Sequence, residues 1–212
     1  MKPITKWLAA GTGLASTAYA TYVATTWLRY GHPRKAHGEA ADPLLDAFMP
    51  DYDVCERHHV NVEAPAEVTF AAAKEIELGK SRIIRAIFKA RELILRSKPD
   101  STVRPKGVIE QMKSLGWGLL AETPDRELVF GGVTKPWEAD PVFRALPAGQ
   151  FAAFAEPDYV KIVWNLRVDP TANGGSIFRT ETRAVATDPS SRKKFRVYWS
   201  LLSPGIIAIR AA

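Results

Sequence analysis

A chain of 212 residues, 46% hydrophobic and 25% charged, has the make-up of one globular domain plus an appendage, with no low-complexity tract. Its single cysteine, Cys55, excludes an internal disulfide and any cysteine-based zinc cluster. A formal net charge of +6 favours anionic surfaces, phospholipid headgroups or nucleic acid, without choosing between them.

Lys2 and Lys6 precede an uncharged run from Trp7 to Leu28, closed by Arg29 with Arg34 and Lys35 beyond. As a helix this run would rise about 33 Å, against a bilayer core of about 30 Å. Trp7 at one end, and Trp27 and Tyr30 at the other, stand where aromatic belts form. Gly11, Gly13 and Thr17 make a small-residue strip suited to close helix packing. The run is only mildly apolar, rich in Ala, Thr and Gly. Three readings fit it: a single-pass membrane anchor, a signal peptide cleaved after Ala18-Tyr19-Ala20, and a buried helix of a soluble domain. The anchor is preferred, because apolar character continues past the cleavage-like triplet and an all-round apolar helix needs a larger protein around it. The basic residues flanking the run oppose one another; the slight excess after it favours a cytoplasmic domain. The expected organisation is an anchor over 1–30, a Pro-containing linker over 31–52 and a folded domain over 53–212.

Residues 53–62, DVCERHHVNV, read as a strand, and Ala64-Pro65-Ala66-Glu67 as the start of a helix with Pro near its first turn. From Ser81 to Arg96 the spacing predicts an amphipathic helix. Ile83, Ile84, Ile87, Phe88 and Ile94 lie on one face, and a basic set able to meet water or anionic lipid lies on the other. A short helix is expected from Pro105 to Leu115, then strands over 117–122 and 127–134. Gly131-Gly132 in the second strand marks a bulge or a close backbone approach. A loop holding Trp137 and Phe143 follows, with a further strand over 150–154.

The longest signal is a hairpin: YVKIVWNLRV (159–168), a turn-rich DPTANGG, and SIFRTETRAVA (176–186). Val160, Ile162, Trp164, Leu166 and Val168 share one parity with Phe178, Thr180, Thr182, Ala184 and Ala186 across the turn. Lys161, Asn165 and Arg167, with Arg179, Glu181 and Arg183, share the other. Period-2 alternation places the first set on a core and the second in water as cross-strand pairs. A one-residue error in parity would instead turn Asn165, Glu181 and Arg183 inward. After Asp188 as cap and Pro189 at the first position, a helix follows with Phe195, Tyr198, Trp199 and Leu202 as its apolar stripe. Pro204-Gly205 is expected to break or kink it.

The order of ERHHVNVEAPAEVTFAA (56–72), ELVFGG (127–132), VWNLRV (163–168), TETR (180–183) and KKFRVYW (193–199) resembles the START-like (SRPBCC) superfamily. That superfamily holds birch-pollen allergens, lipid-transfer domains and polyketide cyclases or dehydratases. The chain also looks like bacterial members that place a membrane helix before the domain. The resemblance implies an α+β helix-grip fold: a curved antiparallel β-sheet wrapped around a long C-terminal helix, with an apolar cavity between them. It implies no single function.

The aromatic candidates for the cavity wall are Phe88, Trp117, Phe130, Trp137, Trp164, Phe178, Tyr198 and Trp199. His58 and His59 are adjacent on a strand, so they point to opposite faces and cannot share a metal. No nucleophile, phosphate-binding or metalloprotease motif is present, so no catalytic residue, metal or cofactor is expected. Basic charge without interleaved aromatics argues against a nucleic-acid partner. The expected function is a membrane-anchored domain binding a hydrophobic small molecule or lipid. A cyclase-type enzyme and an accessory subunit docking on a membrane-protein partner are the alternatives.

Overall fold

The computed structural model describes residues 3–75 and 105–211. The helix expected from Ser81 to Arg96, and Phe88 with it, lies outside the described residues. Helix α1 (Pro3–Arg29) opens the chain, followed by a 3₁₀ turn (Gly38–Ala40) and a short helix α2 (Pro43–Phe48). Strand β1 (Val54–Val62) leads to helices α3 (Ala66–Lys74) and α4 (Val108–Ser114). Strands β2 (Gly118–Thr123) and β3 (Glu127–Thr134), a single helical turn α5 (Ala148–Phe151), strands β4 (Val160–Pro170) and β5 (Ser176–Ala186), and helix α6 (Pro189–Ala211) complete it.

The described strands form one antiparallel sheet in the order β1-β5-β4-β3-β2. Connecting β1 to the far edge through α3 and α4, and ending on a helix, gives the α+β arrangement of a helix-grip. Helix α6 lies across the front face at the β1–β5–β4 end. There Phe195 and Trp199 pack on Val54, Val160 and Ala184. Helices α3 and α4 cover the other end of the same face. Phe70, Val108 and Met112 meet Leu128, Phe130, Leu166 and Val168. The apolar parity of the hairpin is therefore core-facing, as its alternation predicts.

The polar parity is not in water. Residues 31–52, expected as a linker, pack across the back of the sheet. Leu45, Met49 and Tyr52 are buried against Leu120, Val129, Val133, Phe151 and Val163. Asp42 starts this strap: its carboxylate accepts the Leu45 N–H at 2.8 Å, and Pro43 takes the first helical position, so α2 forms where the chain must turn onto the sheet. The expected strand over 150–154 is instead the turn α5. Its Phe151 comes so close to β3 that a β-carbon at Gly131 would lie 2.9 Å from the ring. That is the close approach the Gly pair signals. A bulge in β2 between Leu119 and Ala121 lets Leu119 face front while Leu120 and Ala121 face back.

Helix α1 runs antiparallel to α6. Tyr19 Oη donates to the Leu201 carbonyl at 2.7 Å, Tyr22 Oη and Ser203 Oγ share a bond of 2.8 Å, and Arg196 Nη2 donates to the Trp27 carbonyl at 2.7 Å. Of the break or kink expected at Pro204-Gly205, the break does not occur: α6 continues through Pro204 to Ala211. The membrane-crossing expectation for the run from Trp7 to Leu28 meets a limit of composition. The helix is long enough, yet among the described residues no helix is long and apolar enough to cross a membrane.

Candidate functional site

The front face carries a continuous aromatic patch built by register. Phe130 on β3 pairs with Trp164 on β4, which pairs with Thr182 on β5, which pairs with Glu56 on β1. The Phe130 and Trp164 rings stack at 4.8 Å between centroids, and Trp117 meets Trp164 edge-on at 6.2 Å and stacks on Phe143 at 4.5 Å. Offset and edge-on aromatic pairs of this kind add about 1 kcal/mol each beyond the area they bury. Phe178 joins the same cluster. Trp137, Tyr198 and Trp199 belong to the second cluster, around Phe195, at the α6 end. The structure thus brings Trp117, Phe130, Trp164 and Phe178 together, sets Trp137, Tyr198 and Trp199 apart from them, and leaves Phe88 outside the described residues. All seven serve the front face. Phe130 is fully buried, whereas Trp117, Trp137, Trp164, Phe178 and Tyr198 are half-buried.

Between the two clusters the face is polar as well as aromatic. Glu56 and His58 on β1 face Thr182 and Thr180 on β5, and none of the four is without a partner. Thr180 Oγ1 donates to the Asn165 carbonyl at 2.8 Å, and the Glu181 N–H goes to the Asn165 side-chain oxygen at 2.7 Å. Side chains thus replace the ladder at the one place where β4 and β5 pairing lapses.

Behind the sheet lies an ionic layer that the alternation assigned to water. Arg183, 2% exposed, donates from Nε to Glu181 at 2.7 Å and from Nη1 to Asp46 at 2.6 Å and the Met49 carbonyl at 2.8 Å. Glu181 also accepts from Arg57 at 2.7 Å. Burial works against the charge on Glu181, but its two guanidinium partners prevail and hold it below the usual carboxylate range. Beside it, burial first and the Glu181 carboxylate second push the Cys55 thiol up, so that it stays protonated and unreactive. Lys161 Nζ donates to the Ala152 carbonyl at 2.6 Å, and burial lowers its pKa.

Asn165, 1% exposed, uses its amide nitrogen twice, to Asp42 at 2.5 Å and to Glu127 at 2.8 Å. Two buried carboxyls therefore sit on one amide. Burial first, and the neighbouring Asp42 second, push Glu127 up to about 8. Glu127 borders an open cleft of about 340 Å³ lined also by Pro43, Leu44, Thr123, Arg126 and Arg167. A second, of about 380 Å³, lies between Gly31–Lys35 and Arg192. Neither touches the aromatic patch. Among the described residues no group of three or more His, Cys, Asp or Glu side chains is placed to hold a metal ion.

Neither a protein-family model nor a curated protein sequence matches this chain. Among solved structures it is similar to Mll3558 from Rhizobium loti, at 10% identity over 74% of this chain and 96% of that chain, with a TM-score of 0.30. It is also similar to CalU16 from Micromonospora echinospora, at 13% identity over 73% of this chain and 74% of that one, with a TM-score of 0.26. Ara h 8.0201 overlaps 72% of this chain and 97% of its own at 8% identity, with a TM-score of 0.22. At such scores the overlap adds nothing to what the sheet order and terminal helix already show.

Proposed function

We propose that the chain is a START-like domain that binds a hydrophobic small molecule or lipid on the front face, and that its N-terminal helix attaches it to a membrane with the domain on the cytoplasmic side. One observation carries the binding part. The aromatic side of the sheet is only half-buried at Trp117, Trp164 and Phe178, while the charged side behind it is sealed at Asn165, Glu181 and Arg183. A sheet that seals its ions and leaves its aromatics half-covered offers an apolar wall to a ligand, with Thr180, Thr182, Glu56 and His58 as the few polar groups that orient it.

Trp164→Ala should weaken binding of an apolar fluorescent probe such as anilinonaphthalene sulfonate about tenfold, read by titration on protein whose fold is checked by circular dichroism. Lys113→Ala, on an exposed residue of α4, is the control. Equal effects of the two substitutions would remove the front face from the reading. A cyclase- or dehydratase-type enzyme is the second reading. It is favoured by Glu56 and His58, ionisable groups two residues apart on the same strand and the same face, placed beside that wall.

A further inference from the structure

Helices α1 and α6 share a charge pattern in sequence that ligand binding leaves unused. Within these helices the charged residues are Lys6, Arg29, Arg192, Lys193, Lys194, Arg196 and Arg210, and neither helix contains an Asp or Glu. The whole chain holds 29 basic and 23 acidic residues, so this segregation is a property of the helix pair and not of the composition. Antiparallel packing gathers Arg29, from the last turn of α1, with Arg192, Lys193, Lys194 and Arg196, from the first turns of α6, at one end of the pair.

Next to that basic end the surface is apolar. On α6, Phe195 and Trp199 face the sheet, while Lys193, Val197 and Leu201 recur every fourth residue along the opposite, exposed side. On α1, Leu28 is 72% exposed and Trp27 39%. The Arg196 guanidinium lies 4.2 Å from the centre of the Trp27 ring, so charge and aromatic ring occupy one level. The polar groups of this surface satisfy themselves. Thr21 and Thr25 donate to the carbonyls of Thr17 and Thr21 at 2.9 and 2.8 Å, and the Tyr19 and Tyr22 hydroxyls bond to α6. Hydroxyls already paired within the helices lose little on leaving water.

We infer that α1 and the outer face of α6 together dock the domain on an anionic phospholipid surface. Arg29 and Lys193 lie at headgroup depth, and Trp27, Leu28, Val197 and Leu201 in the upper acyl region; Arg192 and Lys194 are held by Asp53 and Asp158 of the domain. Basic residues beside exposed apolar ones, on helices too polar to cross a bilayer, are the pattern of an element lying in the interface. This rests on the membrane-attachment part of the reading above and is independent of ligand binding on the front face.

The test is flotation of the full chain with vesicles of phosphatidylcholine alone or with about 30% phosphatidylglycerol, whose negative surface attracts basic residues. Binding should be at least tenfold tighter to the anionic vesicles and should weaken as salt rises. Arg29→Glu with Lys193→Glu should remove that preference, and Val197→Ser with Leu201→Ser should lower binding to both vesicle types. Equal binding to neutral and anionic vesicles, no effect of either double variant, or resistance of the bound protein to alkaline carbonate would overturn the proposal. So would tighter binding to RNA or to a protein than to the vesicles. Probe binding on the same variants separates the two readings, since it should be unchanged in all of them.

Discussion

Glu127→Gln tests the carboxyl pair behind the sheet. Glu127 is 6% exposed and Asp42 2%, and both accept from the single amide of Asn165. The nearest cation is Arg167, 3.9 Å from Asp42 and already committed to Asp169 and the Ala41 carbonyl. Arg126, at the rim of the cleft, is engaged by Asp169. Two ionised carboxylates would leave a net negative charge in this site, and Glu127 accordingly keeps its proton up to a pH of about 8, against 4.5 for the free group. A carboxyl whose pKa is raised in the folded state contributes its full stability below the unfolded value and loses it as the pH rises through the folded one. Between pH 4.5 and 8 unfolding therefore releases a proton, and stability falls by up to about 1.4 kcal/mol per pH unit, or roughly 3–5 kcal/mol across the window. Glutamine keeps an oxygen for Asn165 and offers Asp42 an N–H, with no proton to lose. Urea denaturation followed by circular dichroism from pH 5 to 9 should show wild type and Glu127→Gln close together at pH 5. The variant should be more stable at pH 9 by roughly 2–4 kcal/mol. Because other titrating groups are common to both proteins, the difference curve is the readout; a flat difference would refute the account of a proton retained on Glu127. Asp42→Asn, which retains a capping side chain, should bring the midpoint of the wild-type fall to lower pH.

Arg183→Met should cost about 3 kcal/mol in the same denaturation assay, because it leaves the buried Glu181 carboxylate short of one of its two cations. Adding Glu181→Gln should recover part of that loss, and a cost under about 1 kcal/mol for the single variant would mean that the ion pair is not sealed. Leu45→Ala, at a side chain with no exposure, should cost about 3 kcal/mol, whereas a passive linker would register no change.

The strands were legible because their alternation is strong: β3, β5 and the start of α6 fall where the sequence places them. Periodicity gives the parity of a side chain but not what lies on the far side of the sheet. Lys161, Asn165, Arg167, Glu181 and Arg183 read as solvent-facing because charged residues are rarely buried without partners; here Asn165, Arg167, Glu181 and Arg183 find partners in residues 39–57, and Lys161 finds one in the Ala152 carbonyl. A signal for that layer was present. Asp42-Pro43 is a helix start, and Leu45, Phe48, Met49 and Tyr52 follow at helical spacing on one side. The prolines at 33, 43 and 50 give the same stretch the composition of a linker. The turn α5 is too short for any period to distinguish it from a strand. Continuation of α6 through Pro204 runs against proline's helix-breaking tendency, and the partner that packs on the preceding turns, α1, lies 181 residues away in sequence.

The ionic layer also bears on the aromatic one. Side chains alternate with a period of two, so a one-residue slip of β4 would carry Lys161, Asn165 and Arg167 into the midst of Trp117, Phe130 and Phe178, and Trp164 into the strap. The slipped state would strip Glu127, Asp42 and the Glu181 N–H of the Asn165 side chain, and would bury Lys161 and Arg167 against rings. Each orphaned buried polar group costs about 1–3 kcal/mol and each unpaired charge more. Replacing the layer with apolar residues would leave both registers greasy on both faces and close in energy. Its contribution to net stability is small once desolvation is counted. What the layer does is separate the correct register from its neighbour, and so hold Trp164 between Phe130 and Trp117 on the front face.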